Sequence, residues 1–312
     1  MIKRIAVIGA GVMGRGIAEV YAAAGLEVAL CDVSEPLLTS ALRGIRADLA
    51  LLSEEGLVPE REREAIMARV VPTTRLEEAL AGAGFVTECI PEVLEAKLDL
   101  FDRVERAVSD AAIIASNTST FPVTALARRA RLPQRMIVTH FFNPAHLVPL
   151  VEVLPHPHGD DDVTSATVQL LRRVGKSPVL VRKEVPGFIA NRLQAAVARE
   201  AFHLLAEGVA DAEAIDAAIT EGPGFRWAFI GPIMTADYGG LDTWQRVMDN
   251  LAPELCTATS APQIVVDHVR RGALGTKSGR GIYAYEARPV EERLRERDRN
   301  FIRLLKLKRG VA

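Results

Sequence analysis

The sequence predicts an α/β protein, with an N-terminal doubly wound sheet followed by an all-helical C-terminal domain. Three observations carry that expectation. Short aliphatic runs alternate with helical patterns as far as Val181, the signature of a largely parallel sheet with crossover helices. The first of those runs ends in Gly9-Ala10-Gly11-Val12-Met13-Gly14. Past Lys183-Glu184-Val185-Pro186-Gly187 the strand-like runs stop and only amphipathic helical patterns remain. The domains are accordingly drawn at residues 1–184 and 185–312.

The chain has 312 residues, 49% of them hydrophobic and 25% charged, which is core enough for two ordinary domains. A formal net charge of −2 argues against a dedicated nucleic-acid or anionic-membrane surface. No apolar run approaches the roughly 20 residues of a membrane span. The opening MIKRIAVIGAG reads as a strand entering a glycine turn, so no targeting segment is expected. Cys31, Cys89 and Cys256 are widely spaced with no C-x-x-C pair. That excludes a disulfide framework and a cysteine zinc site, and it fits a reducing, cytoplasmic setting.

Ile5 to Ile8 reads as a buried strand, and the helix after the glycine turn presents Ile17, Val20, Tyr21 and Ala24 on one side before Gly25 closes it. Leu26 to Leu30 is a second strand, with Asp32 just past its end. This is the whole strand–turn–helix–strand–acid unit of a Rossmann-type dinucleotide site. Gly9 permits the turn, Gly11 lets a pyrophosphate approach the backbone, and Gly14 lets helix and strand pack closely. Free amides at the start of the helix, around Val12 and Met13, face the phosphates. Asp32 can accept from both ribose hydroxyls and would repel a 2′-phosphate, which favours NAD over NADP. Residues 36–80 read as helices broken near Gly56 and Pro72, with Arg43 and Arg46 one helical turn apart, suited either to a solvated face or to an anionic substrate tail. Gly84 to Ile90 is a strand whose Glu88 can line the cofactor cleft, while Glu92 and Lys97 suit the helix that follows. Ala112 to Ala115 leads into Ser116-Asn117-Thr118-Ser119-Thr120, polar groups suited either to the ligand edge of a parallel sheet or to capping a helix. The pair His156 and His158 lies in a Pro/Gly-rich surface turn, and no metal site is expected there. The charged tail from Glu286 to Gly310 reads as helical, solvated or packed on a partner.

Two residues do not suit their surroundings. Glu152 stands in the otherwise apolar run Val148 to Leu154, where a bare carboxylate needs a partner or a proton. His140 ends the run from Met136, just before Phe141-Phe142-Asn143-Pro144. A carboxylate on one imidazole nitrogen fixes the tautomer and makes the other nitrogen a better base. The residues alone leave two alternatives open: a satisfied core histidine, and a glutamate paired with an arginine.

The stretches GAGVMGRGIA, TECIPEVLEAK, ASNTST, HFFNP with VEV, VPGFIANR and GTKSGRGIYAY resemble the 3-hydroxyacyl-CoA dehydrogenases over nearly the whole chain. The resemblance implies that His140 and Glu152 are the catalytic pair and that Ser119 and Asn191 hydrogen-bond the reacting oxygen. It further implies that Glu88, Lys97, Asn117, Asn143 and Lys277 contact NAD, and that the C-terminal helices form a homodimer. The expected reaction is oxidation of a 3-hydroxyacyl-CoA, such as 3-hydroxybutyryl-CoA, to the 3-oxoacyl-CoA. One stretch departs from that pattern. GPGFRWAFIGP is more similar to the branch containing lambda-crystallin, L-gulonate dehydrogenase and carnitine dehydrogenase, which act on free hydroxy acids. On that alternative Arg226 grips the substrate carboxylate. A third alternative is an NAD-binding structural protein of the crystallin kind.

Overall fold

The structure is a computed structural model, and it describes residues 2–310. Among these, eight strands form one sheet: β1 (Arg4–Ile8), β2 (Glu27–Cys31), β3 (Val70–Thr73), β4 (Phe85–Glu88), β5 (Ile113–Ser116), β6 (Met136–Phe141), β7 (Leu150–Pro155) and β8 (Ser177–Leu180). Their order is β3-β2-β1-β4-β5-β6-β7-β8. Every neighbouring pair is parallel except β6 and β7, which run antiparallel. Successive residues of β1 belong to opposite cores, Ile5 and Val7 to one and Ala6 and Ile8 to the other. That two-sided burial is why the strands read as unbroken aliphatic runs. From β1 the chain winds first to β2 and β3, then crosses to β4, so the carboxyl end of β1 is the switch point where ligands bind such sheets.

One reading of the sequence changes at the edge of the sheet. The stretch taken as helices interrupted at Pro72 contains the strand β3. β3 is the outermost strand, where a proline without an N–H costs no ladder bond. The chain forms one compact unit running to Ile189 and taking in residues 298–310, and a second unit Ala190–Arg297. Phe188 is 1% exposed in the core of the first unit. The end of the Val290–Arg309 helix, read as solvated or packed on a partner, also buries Ile302 in the first unit's core. Arg299 there pairs with Glu54 and Glu55.

The second unit is built from helices including Ala190–Ala206, Ala212–Glu221, Pro223–Trp227, Pro232–Gly239 and Leu241–Leu251. Asp211 caps the second of these by accepting from the Ala214 amide at 2.8 Å. Gly240, with φ +86°, separates the Pro232–Gly239 helix from the Leu241–Leu251 helix. Among themselves these helices border an apolar groove of about 1060 Å³, with Val197, Ala201, Ile215 and Trp227 on its walls. No helix among the described residues is long and apolar enough to cross a membrane.

Candidate active site

The nucleotide cradle follows from three glycines with three different surroundings. Gly9 has φ +102°, and a Cβ there would meet the Cys89 carbonyl oxygen at 2.6 Å. A Cβ on Gly14 would lie 1.8 Å from the Gly9 carbonyl oxygen, so helix and strand pack as closely as the motif demands. Around Gly11 a Cβ would meet nothing within 4 Å, which leaves open space where a diphosphate approaches the backbone. The helix begins at Val12, and Arg15 is the first residue whose amide closes a bond, to Gly11. The amides of Val12, Met13 and Gly14 therefore have no partner one turn back, and they face the end of β1. Asp32 ties the cradle together: Oδ2 accepts from the Ala10 amide at 2.8 Å and Oδ1 from the Ser34 amide at 3.0 Å. Each oxygen keeps a lone pair for a ribose hydroxyl. The residues fit NAD.

Glu88 and Lys97, expected at the cofactor, form a buried ion pair. They are 0% and 1% exposed, and their charged atoms meet at 2.6 Å. Glu88 also accepts from Ser116 and from the Ile90 amide, while Lys97 donates to the Ile90 carbonyl and approaches Glu92 at 3.1 Å. With three partners the ammonium is fully used. Burial pushes the Glu88 carboxyl above its ordinary range, and Lys97, Ser116 and the Ile90 amide offset only part of that.

Glu92, read in sequence as a helix opener, anchors the hydroxyl-rich loop after β5. Its Oε1 accepts from the Thr118 hydroxyl, the amides of Ser119 and Thr120, and the Thr120 hydroxyl. Burial raises its pKa, but the bonds from Thr118 and Thr120 and the charge of Lys97 outweigh it, so the carboxylate stays below its usual range. The loop keeps the Ser119 hydroxyl unbonded among the described residues. Asn117 spends its Oδ1 on the Phe141 amide at 2.9 Å, which fixes the end of β6. Asn143 is exposed and precedes Pro144 through a cis bond.

His140 lies at the end of β6, one residue before Phe141 closes the strand, and the antiparallel register puts Glu152 of β7 directly opposite it. Both are buried, and Nδ1 of the imidazole stands 2.9 Å from Glu152 Oε2. Each of the two out-of-place residues is thus a partner of the other. The Ile189 amide donates to Glu152 Oε1 at 2.8 Å. Phe142 and Phe188 flank the imidazole, with ring centroids 4.7 and 5.5 Å away. Such a site can take up a proton at Nε2 while Glu152 balances the resulting charge.

Asn191, Arg226 and Lys277 belong to the helical unit. Asn191 is in the first turn of the Ala190–Ala206 helix, and Arg226 is on the short Pro223–Trp227 helix. The exposed Arg226 guanidinium makes no ion pair or hydrogen bond among the described residues.

Residues 4–185 match the 3-hydroxyacyl-CoA dehydrogenase NAD binding domain, and residues 187–285 match the C-terminal domain of the same enzymes. The chain belongs to the 3-hydroxyacyl-CoA dehydrogenase family. It is an NAD-dependent oxidoreductase of that family. It is 38% identical to L-carnitine dehydrogenase of Streptomyces griseus subsp. griseus over 98% of this chain and 90% of that one. It is 37% identical to 3-hydroxybutyryl-CoA dehydrogenase of Bradyrhizobium diazoefficiens over 94% and 99% of the two chains. Among solved structures it resembles 5-formyl-3-hydroxy-2-methylpyridine 4-carboxylic acid 5-dehydrogenase, described as an NAD+ dependent dismutase. The TM-score is 0.92 and the identity 31%, with full coverage of both chains. For the (S)-3-hydroxybutyryl-CoA dehydrogenase of Ralstonia eutropha the TM-score is 0.75 at 33% identity, covering 92% of this chain and 100% of that one.

Proposed function

We propose that the chain oxidises a secondary alcohol on carbon 3 of an organic acid, with His140 as general base and Glu152 as its orienting partner. The observation that carries this reading is the buried 2.9 Å contact between His140 and Glu152. NAD, when bound, supplies the hydride acceptor. Nδ1 is held by Glu152, so Nε2 takes the hydroxyl proton as the carbon–hydrogen bond is broken. The carboxylate stabilises the imidazolium that forms. Ser119 hydrogen-bonds the reacting oxygen and shares its developing charge, the role the family resemblance also gives Asn191. Gly9, Gly11, Gly14, Val12, Met13 and Asp32 hold the dinucleotide, while Glu88, Lys97, Asn117, Asn143 and Lys277 are assigned to the same cofactor. The homodimer reading is supported by the apolar groove of the helical unit.

Two substrate classes compete. The free-acid reading is supported by the unpaired Arg226 guanidinium, whose planar fork suits a carboxylate. The full-length likeness to an L-carnitine dehydrogenase and to a pyridine-carboxylate dehydrogenase points the same way. The acyl-CoA reading is supported by HFFNP and by the 3-hydroxybutyryl-CoA dehydrogenase relative. Following NADH absorbance with 3-hydroxybutyryl-CoA, longer 3-hydroxyacyl-CoAs, L-gulonate, carnitine and free 3-hydroxybutyrate separates them. We expect turnover with a free acid, and in that case Arg226→Met should raise KM for it by about 10–100-fold. Turnover confined to thioesters and untouched by that change assigns the enzyme to acyl-CoA. No NADH from any of them contradicts the proposed reaction and leaves a purely nucleotide-binding role.

A further inference from the structure

Phe188 holds a backbone conformation that its side chain does not favour. Its φ is +52°, in the left-handed region, and it directly follows Gly187 at +76°. A bulky residue stays there only where its surroundings over-determine it. Two contacts do so. The ring is 1% exposed in the first unit's second core, and the Phe188 amide closes a turn onto the Val185 carbonyl at 3.1 Å. The consequence lies one residue on. The turn delivers the Ile189 amide to Glu152 Oε1 at 2.8 Å, while Glu152 Oε2 faces His140. A donor on one oxygen and the imidazole on the other fix the plane of a carboxylate that is 1% exposed. The same Phe188 ring stands 5.5 Å from the imidazole, with Phe142 at 4.7 Å.

We propose that Phe188 is a positioning residue for the His140–Glu152 pair: its strained backbone aims a donor at Glu152 and its ring walls the imidazole. The inference rests on reading that pair as the base. It makes the segment entering the helical unit part of the catalytic apparatus, and it gives a reason for a phenylalanine at a φ where glycine would be unstrained.

The test compares Phe188→Ala and Phe188→Leu with the wild-type full chain. The alanine variant should lose turnover by about 10–100-fold, the scale of a misplaced catalytic group, with the NAD dissociation constant within about twofold. The loss should fall on kcat, with KM for the substrate within about twofold. Leucine, which refills the space and restores the anchor, should recover most of the wild-type kcat. A folded alanine variant with wild-type kcat, or one that loses only KM, overturns the proposal. If that variant does not fold, amide exchange in the wild-type chain decides. Strong protection at Ile189 supports the proposal, and exchange at the rate of an open loop overturns it. The exchange readout needs no turnover. Activity surviving the loss of His140 would sink the functional reading while leaving Ile189 protection as found, so the two failures are distinguishable.

Discussion

Glu92 gathers the donors of the Thr118–Thr120 loop on one oxygen and meets Lys97 with the other. Replacing it with alanine frees that loop without opening a large cavity. Turnover is expected to fall by about tenfold or more, because a group displaced by an ångström loses most of its effect. The melting temperature should change by only a few degrees; wild-type kinetics in Glu92→Ala would separate the loop from the chemistry. The sequence announced part of this site and hid part of it. His140 and Glu152 were legible because a histidine and a glutamate were out of place in aliphatic runs. Their pairing was not derivable from the runs themselves, since it depends on β6 and β7 being antiparallel in an otherwise parallel sheet. Glu92 was hidden because an acid after a strand is what any helix start would show. The available signal was the run from Ser116 to Thr120, whose hydroxyls need an acceptor. The left-handed backbone of Phe188 leaves no mark on residue identity at all.

At the scale of elements, the glycine turn offers two substitutions with opposite expectations. Gly14→Ala drives a methyl into the Gly9 carbonyl and should destabilise the first unit outright. Gly11→Ala meets nothing within 4 Å and has φ −65°, so stability should hold within about 0.5 kcal/mol while NAD affinity falls. Urea unfolding and NAD titration of both variants check this; unchanged NAD affinity in Gly11→Ala would move the diphosphate elsewhere. A second element-scale prediction concerns charges buried under the first helix. Glu19 is 1% exposed with both oxygens unbonded, and Asp48 and His146 lie within 4.8 Å of it. Arg15 on Asp48 and the nearby Lys176 supply the positive charge that such a group of ligands would otherwise require. Burial draws Lys176 down to about 7, against 10.5 for the free side chain, although its ammonium donates to the carbonyls of Ala145 and Val148. Between those values the unfolded chain holds a proton that the folded one lacks. Stability from this group therefore rises with pH, by up to about 1.4 kcal/mol per unit. Lys176→Met should remove that slope between about pH 7 and 10. Glu19 has the opposite sign: burial raises its pKa, the folded chain holds the extra proton, and stability falls as pH rises above the carboxylate range. Identical pH slopes for wild type and Lys176→Met would contradict the assignment.

At the scale of the molecule, the alternation of strands and helices up to Val181 made the doubly wound sheet readable, and the loss of alternation made the helical unit readable. What could not be read was the return of the chain's end. The charged residues from Glu286 onward mask the narrow apolar stripe that carries Ile302 and Leu305 into the first unit. Ile302→Ala should cost about 2–4 kcal/mol in that unit, as for any large aliphatic removed from a packed core. A loss under 0.5 kcal/mol would mean the terminal helix is only loosely attached.

The central claim is that an imidazole held by a buried carboxylate removes the substrate's hydroxyl proton. Once a turned-over acid or thioester is in hand, steady-state NADH formation by His140→Gln, read beside its NAD dissociation constant, tests that most directly. The account predicts a loss of turnover of about 10²–10⁴-fold with NAD binding unchanged. Turnover within a few-fold of wild type, in a folded variant that still binds NAD, would contradict it.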